Sequence, residues 1–355
     1  MAASLTELLG PDLGEIRVWS PVPFRSHPHG EEIEAASRQW AVDHGLCEPG
    51  RDGLWLGGAM ADCMPFTEAD LLLPYACYSY WAILWDDHLD TLAADPTTLG
   101  IHLSEGMRVM HEPHAPVPED RWLIGLRDIR GMYERTYPPP AVERLVAENS
   151  VYFSGQLWKA CLRARSEPPT VAEYLRMRWA KSGLGTGVAA TAAASGYLLS
   201  AAEYADPTVR AFCQAATFPG MVANDLVSLA KELITGDAGT NLVSIIGHHD
   251  HLSTAEAALR VWQLYERICA LTLHLQRRLR DDPRPGVSRL AVELPQWIPG
   301  AWAFMIRTSR YDTPAAAPVR WPAITITDQP VWWNPDDLTP PPYPDIAWWW
   351  HQHNY

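Results

Sequence analysis

Apolar residues recur along most of the chain at the spacing of an α-helix, and clusters of Pro and Gly interrupt the pattern. No sustained alternation of apolar and polar residues indicates a sheet, and no repeat at a solenoid period is present. The pattern predicts an all-α fold, a single large helical bundle. The predicted helices cover residues 31–44, 67–92, 98–111, 120–136, 141–164, 170–181, 186–200, 208–235, 254–280 and 287–309.

The last part of the sequence has a different character. Residues 312–355 hold nine Pro and six Trp and show no helical period. Pro-rich segments favour extended structure, but so many Trp side chains are costly to leave in water. We therefore divide the chain into a helical domain, residues 1–311, and a Pro/Trp-rich tail, residues 312–355, part of which is expected to pack on the domain.

Composition narrows the function classes. The chain has 355 residues and a formal net charge of −14, which argues against a nucleic-acid or anionic-membrane surface. A site for a polyanion in such a chain needs local Arg and Lys or bound cations. The N-terminal residues lack a signal-peptide pattern, no stretch is long and apolar enough to span a bilayer, and the six Cys form no C-x-x-C pair. These features predict buried free thiols and a cytoplasmic protein.

The first candidate metal motif lies near the end of the predicted helix 67–92. Asp86 and Asp90 are four residues apart and share one helix face, with Asp87 beside them. Three carboxylates so close together repel one another unless cations neutralise them, and Mg²⁺ prefers oxygen ligands and often bridges carboxylates to phosphates. Taken alone, the motif is equally compatible with a solvated acidic helix end.

The second motif is more specific. Asn224, Ser228 and Glu232 stand at i, i+4 and i+8 of the predicted helix 208–235, on a single face. An amide oxygen, a hydroxyl and a carboxylate form a hard-oxygen ligand set for one divalent ion. Lys231 offers an ammonium group to a phosphate. Asn and Ser disfavour helix interiors, which makes an incidental origin of this spacing a poor explanation.

These residues resemble the metal-binding motifs of the bacterial class I terpene cyclases. The likeness includes Asp86-Asp87-His-Leu-Asp90, the Asn224-x-x-x-Ser228-x-x-x-Glu232 element, Arg178 and the pair Arg310-Tyr311. It spans roughly residues 55–311 in order and spacing. Trans-prenyl chain-elongating synthases share the fold but carry a second aspartate-rich motif where this chain has Asn224, Ser228 and Glu232. The resemblance therefore implies a class I helical bundle with a metal-lined cavity, and cyclisation rather than chain elongation.

The resemblance also implies a mechanism. The family uses three Mg²⁺ ions to ionise a linear prenyl diphosphate, releasing diphosphate and leaving a carbocation that cyclises. By likeness, the aspartate motif serves two ions, mainly through Asp86 and Asp90, and the second motif holds the third. Four further residues are expected to grip the diphosphate: Arg178, Lys231, Arg310 and Tyr311. The carbocation must be kept from water, so the cavity should be apolar and aromatic. Candidate walls are Trp81, Ile83, Phe153, Trp158, Trp179, Trp302 and Phe304.

Three positions depart from the family pattern. Ile83, beside Ala82, stands where an aromatic residue is usual, and the smaller side chains favour geranylgeranyl diphosphate over farnesyl diphosphate. Lys181 stands where the family has an acidic residue three positions after the arginine, which puts the usual link from that arginine to the ionisation trigger in doubt. Phe304 stands where Trp is common.

Other signals carry less weight. Residues 247–251, Gly-His-His-Asp-His, are interpreted as a solvated loop and not as a transition-metal site, and residues 183–187 as a helix break and not as a phosphate loop. Two alternative functions stay open: a prenyl-transferring or acyclic-product diphosphate lyase, and a non-catalytic isoprenoid-binding module. The substrate partner is a prenyl diphosphate, nucleic acid is not expected, and a homodimer is one assembly left open.

Overall fold

The computed structural model describes residues 15–92, 95–236, 238–311 and 323–354. Within these residues the chain is predominantly helical, as the apolar periodicity predicts. The helices are α1 (Gly30–Asp43), α2 (Leu56–Cys63), α3 (Ala69–Leu92), α4 (Pro96–His111), α5 (Arg121–Thr136), α6 (Pro139–Arg163), α7 (Val171–Lys181), α8 (Leu184–Ala194), α9 (Ala201–Ala205), α10 (Pro207–Thr235), α11 (Leu242–Asp250), α12 (Thr254–Arg280), α13 (Pro285–Glu293), α14 (Trp297–Arg307) and α15 (Pro344–Ala347).

Local sequence sets the helix ends. The side chain of Asp206 accepts hydrogen bonds from the first N–H groups of α10, and Pro207 occupies the first helical position, where its missing N–H costs nothing. Gly236, with a φ of 82°, ends the same helix in the left-handed region that glycine adopts without strain. The helix with the second motif thus begins and ends where its sequence dictates.

Some helices differ from the prediction. α2 contains Gly57 and Gly58, which disfavour helix, but both N–H groups donate to the half-buried carboxylate of Glu34 at 2.9 Å. The predicted helix 287–309 is two helices, α13 and α14, joined by the 3₁₀ turn Leu294–Gln296. The interpretation of residues 247–251 as a loop was wrong: residues 247–250 form the last turn of α11, and His251 (φ 54°) ends it.

The prediction that no strands occur was also wrong for two short segments. β1 (Glu15–Trp19) and β2 (Ala323–Thr327) pair in parallel, with Ile16 opposite Ile324 and Val18 opposite Ile326. Each strand has only five residues, and they lie about 300 positions apart in the chain, so a sequence window detects neither. The pair attaches the start of the described chain to the segment that follows α14.

The described part of the tail packs against α10 and α12. The carboxylate of Glu266, fully buried on α12, accepts the backbone N–H groups of residues 331, 332 and 333 over 2.6–3.1 Å. Trp349 is buried against Phe218, and its indole N–H donates to Gln214 at 2.7 Å. The cost of exposing Trp is thereby avoided. Residues 312–322 and 355 of the predicted tail lie outside the described residues.

The six cysteines are all free thiols, and five are buried; Cys161 is exposed, contrary to the prediction that all are buried. Within the described segments, no helix is both long enough and apolar enough to cross a membrane.

Candidate active site

A cavity of about 320 Å³ opens among α3, α6, α7, α10 and α14. Its polar rim lies toward the C-terminal ends of α3, α6, α7 and α10, which carry Asp86, Lys159, Arg178 and Asn224, respectively. Helix C-terminal ends carry partial negative charge and favour cations. Every predicted metal ligand and every predicted diphosphate contact lies at this cavity: Asp86, Asp87, Asp90, Asn224, Ser228, Glu232, Arg178, Lys231, Arg310 and Tyr311.

The carboxylates of the aspartate motif are each paired with basic side chains. Lys159 Nζ lies 3.2 Å from Asp86 Oδ1 and 2.6 Å from Asp90 Oδ1, and Arg163 lies 2.8 Å from Asp90. Lys181 Nζ is 3.6 Å from the other oxygen of Asp86. Burial disfavours the ionised form of Asp86, but the positive charges of Lys159, Lys181 and Arg310 outweigh it and lower its pKa. Asp86 is therefore a carboxylate over the ordinary pH range.

Arg310 holds the third carboxylate. Its two terminal nitrogens donate to the two oxygens of Asp87, each over 2.6 Å. Arg310 follows α14 in the short 3₁₀ turn Ser309–Tyr311, and its own N–H donates to the Thr308 hydroxyl at 3.2 Å. That hydroxyl in turn donates to the carbonyl of Leu54 at 2.7 Å. The loop before α2 thus fixes the turn that carries Arg310 and Tyr311.

The second motif has neutral partners apart from one arginine. Asn224 Oδ1 accepts from Arg178 at 2.6 Å, and its Nδ2 donates to the Tyr311 hydroxyl at 2.5 Å. Glu232 accepts from the amide of Asn241 at 2.8 Å. The Ser228 hydroxyl is buried and has no hydrogen-bond partner among the described residues. A buried hydroxyl without a partner costs free energy, so the contacts of the fold do not account for the hydroxyl of Ser228.

Arg178 is also held by a carboxylate, that of Asp225, behind the second motif. The same nitrogen that contacts Asn224 lies 2.8 Å from Asp225, whose other oxygen accepts from the Tyr174 hydroxyl at 2.5 Å. Burial raises the pKa of Asp225 to about 6, although Arg178 acts in the opposite direction. This arrangement points the guanidinium of Arg178 at the cavity rim from a rigid support.

A divalent ion fits this donor set. The oxygens of Asn224, Ser228 and Glu232 are hard ligands on one helix face, and Ser228 is free to coordinate. In the described part of the chain, no three His, Cys, Asp or Glu side chains form a preformed metal cluster. That is consistent with the contacts, because the second motif uses an amide and a hydroxyl, while the aspartates face basic partners.

The predicted walls are only partly at the cavity. Ile83 and Phe304 line it. Trp81 and Phe153 are instead packed on Trp85 in the core, Trp302 stacks on Trp262, and Trp158 and Trp179 line a separate surface groove beside Trp348. Helical periodicity separates buried from exposed faces but does not separate a cavity wall from solid core. The aromatic residues at the cavity are Tyr75, Tyr78, Tyr152, Tyr174, Trp297, Phe304 and Tyr311.

Glycines shape the cavity at two points. Gly183, with a φ of 63°, forms the break between α7 and α8; residues 184–187, predicted to be part of the break, are the first turn of α8. Inside α8, a Cβ at Gly187 would lie 2.3 Å from the ring of Trp297. Trp297 therefore reaches the cavity wall only because residue 187 has no side chain.

Several residues at the site were not predicted from the sequence. Lys159 and Arg163 are a pair of cations on one face of α6, and their spacing of four residues was the available signal. For Asn241 the sequence contained no such signal. Its side chain contacts Glu232, donates to the Asp225 carbonyl at 2.7 Å, and caps α11 by accepting from Val243 N–H at 2.9 Å. Only the tertiary fold brings it to the motif.

Comparisons with known proteins identify the family. The family model "terpene synthase family 2, C-terminal metal binding" matches residues 77–269. Tsukubadiene synthase of Streptomyces tsukubensis is 25% identical over 94% of this chain and 97% of its own length. Diterpene cyclase DtcycB of a Streptomyces species is 31% identical over 81% of this chain and 84% of its own. Other relatives have farnesyl diphosphate in their names.

Solved structures agree on the fold. The crystal structure of the SVS_A2 protein, from ancestral sequence reconstruction, superposes with a TM-score of 0.79 at 24% identity, covering 95% of this chain and 99% of that chain. The fold, the site and the family match together lead to one conclusion. This chain belongs to terpene synthase family 2, whose members are metal-binding cyclases that act as lyases on prenyl diphosphates.

Proposed function

We propose that this chain is a Mg²⁺-dependent diterpene cyclase that ionises geranylgeranyl diphosphate and cyclises the resulting carbocation. The observation that carries the proposal is the meeting of two oxygen-rich motifs with Arg178, Lys231, Arg310 and Tyr311 at the rim of one cavity. An acidic chain thereby gains a local cationic site, which a diphosphate requires.

Asp86, Asp90, Asn224, Ser228 and Glu232 are the residues that would hold the Mg²⁺ ions, three by family resemblance. When bound, the ions supply positive charge next to the leaving diphosphate. Arg178 is held on Asp225 and Asn224, so it can present its guanidinium to a diphosphate oxygen with little loss of entropy. Arg310 and the hydroxyl of Tyr311 face the same rim from the turn after α14.

The body of the cavity suits a carbocation. The hydroxyl of Tyr152 donates to the Ala82 carbonyl at 3.0 Å, and the indole N–H of Trp297 donates to Thr191 at 3.0 Å. The hydroxyls of Tyr75 and Thr186 are likewise paired, over 3.0 Å. Because these polar atoms have protein partners, they are not available to hold water in the cavity. The hydroxyl of Tyr78 at the same wall has no partner among the described residues. The ring faces of the walls stabilise positive charge.

The choice of the longer substrate depends on two small side chains. Ala82 and Ile83 both line the cavity, and they stand at a position where an aromatic residue would shorten it. The relative DtcycB, described as a diterpene cyclase, is in line with this choice. Farnesyl diphosphate is the alternative substrate.

The test is incubation of the purified chain with Mg²⁺ and, separately, geranyl, farnesyl and geranylgeranyl diphosphates, followed by gas chromatography with mass detection. We expect a cyclic C20 hydrocarbon that disappears with EDTA and with Glu232→Gln. Glu143→Gln, at an exposed position of α6, is the matched control and should leave the product unchanged. A cyclic C15 product alone would overturn the choice of geranylgeranyl diphosphate as the substrate. Acyclic products would favour a simple diphosphate lyase. An absence of turnover by folded protein would overturn the cyclase proposal.

A further inference from the structure

Lys159 lies between two carboxylates of the aspartate motif. Its ammonium group contacts Asp90 at 2.6 Å and Asp86 at 3.2 Å, and its side chain is only 7% exposed. It is thus a buried cation on the same oxygens that a divalent ion bridging Asp86 and Asp90 would use. A metal ion and this ammonium group cannot both hold these oxygens in the same arrangement.

The second motif is different. Glu232 accepts from the neutral amide of Asn241, and it makes no ion pair within 4.0 Å in the described part of the chain. Ser228 has no partner there at all. A divalent ion at this motif therefore displaces no cation from Ser228 or Glu232, and it meets a buried cation, Arg178, only at Asn224 Oδ1. An ion that bridges the aspartates has to displace Lys159 from both carboxylates.

Local charge supports the same contrast. The three carboxylates Asp86, Asp87 and Asp90 face four basic groups, which are Lys159, Arg163, Lys181 and Arg310. A divalent ion added without an anion would increase the net charge of this group of side chains, which is already positive. A diphosphate offsets that charge and also gives a displaced ammonium group new oxygens to contact.

We infer that Lys159 is an internal counter-ion that competes with the metal ion for Asp86 and Asp90 and passes to the diphosphate when the substrate binds. The inference rests on the proposed function, because it takes a prenyl diphosphate as the ligand. Lysine suits this role, since its flexible stem and three rotatable donors allow it to change partners within one site. Lys159 is then a diphosphate-binding residue additional to Arg178, Lys231, Arg310 and Tyr311.

The first arm of the test measures Mn²⁺ binding to the full, substrate-free chain by electron paramagnetic resonance and calorimetry. We expect Lys159→Met to bind Mn²⁺ roughly tenfold more tightly, because two buried carboxylates lose their counter-ion. Lys159→Arg keeps the charge and should stay near the wild-type value. Adding Asp90→Asn to Lys159→Met should remove the gain, which assigns it to the aspartate motif.

The second arm measures binding of inorganic diphosphate in the presence of saturating Mg²⁺. Lys159→Met should bind it about tenfold more weakly, and Arg260→Met, which removes an exposed charge paired with Asp250, should not change it. Circular dichroism checks that each variant is folded, and Lys159→Gln replaces Lys159→Met if that variant is not.

Two outcomes would overturn the inference. An unchanged Mn²⁺ affinity in Lys159→Met would contradict the competition between Lys159 and the metal ion. An unchanged diphosphate affinity would contradict the passage of Lys159 to the diphosphate. Both arms use no prenyl substrate and no turnover. Failure of the cyclase proposal, which is read from terpene products, is therefore distinguishable from failure of this inference.

Discussion

Both terminal nitrogens of Arg310 contact the carboxylate of Asp87, each over 2.6 Å, and this ion pair joins two parts of the chain 223 positions apart. It connects the C-terminal part of α3 to the turn after α14, across the mouth of the cavity. The pair therefore couples the position of a predicted diphosphate contact to that of the aspartate motif.

We expect Arg310→Lys to lower kcat/KM for diphosphate release by about tenfold, and Arg310→Met by about a hundredfold. Lysine keeps the charge but cannot form two parallel hydrogen bonds to Asp87 or to a diphosphate. A coupled assay of released diphosphate measures both. Arg307→Lys, three residues earlier and stacked on Trp55, is the control and should be near wild type. Equal activity of Arg310→Lys and wild type would contradict a role for the planar guanidinium.

The variant Ser228→Ala tests whether Ser228 is a metal ligand or a residue that only stabilises the fold. The buried hydroxyl has no hydrogen-bond partner among the described residues, so its removal should not lower the free energy of unfolding and should raise it by up to about 1 kcal/mol. The Mg²⁺ concentration needed for half-maximal activity should rise by about tenfold or more. Urea unfolding and a metal titration give the two values.

The matched control is Ser104→Ala, at an exposed position where the hydroxyl donates to a carbonyl of its own helix. It should leave the metal titration unchanged. A clear loss of stability in Ser228→Ala, with an unchanged titration, would show that the hydroxyl serves the fold alone.

Ile83→Phe should shorten the cavity, because Ile83 lines it directly. We expect the ratio of kcat/KM for geranylgeranyl diphosphate to that for farnesyl diphosphate to fall by about tenfold. Parallel kinetics with the two substrates measure the ratio. Ile124→Phe, at an exposed position of α5, should leave it unchanged. If the ratio does not move in Ile83→Phe, the substrate's chain end does not reach this wall.

Acid stability should depend on Asp206, which caps α10 and lies 2.8 Å from Arg284. Partial burial opposes ionisation, but Arg284 and the helix N–H groups outweigh it and lower the pKa of Asp206. A lowered folded-state pKa means that the stabilisation is complete above the unfolded value of about 4 and is lost as the pH falls toward the folded value. Asp206→Asn should therefore cost about 1 kcal/mol at pH 7 and less below about pH 4.

Urea unfolding of wild type and Asp206→Asn from pH 3 to 7 measures this difference. Asp281→Asn, at an exposed position after α12, is the control and should not change the pH dependence. A difference between wild type and Asp206→Asn that is constant over this range would mean that Asp206 does not titrate differently on folding.

Much of the fold was predictable because it is local. The spacing of apolar residues gave most long helices, and residues such as Asp206 and Gly236 fixed their ends through hydrogen bonds to nearby backbone. The predictions failed where contacts with residues far away in the sequence determine the local structure. α2 depends on the carboxylate of Glu34, and β1 exists only because β2, about 300 positions away, pairs with it.

The sequence by itself determined how the candidate ligands are grouped. Asp86 and Asp90 share a helix face, as do Asn224, Ser228 and Glu232, because the turn of a helix imposes that arrangement on residues four apart. Only the tertiary structure decided which residues surround these motifs. Lys159 reaches Asp86 and Asp90 from α6, Asn241 reaches Glu232, and Trp297 replaces Trp81 at the cavity wall. Packing between helices sets these contacts, and no spacing within one helix encodes them.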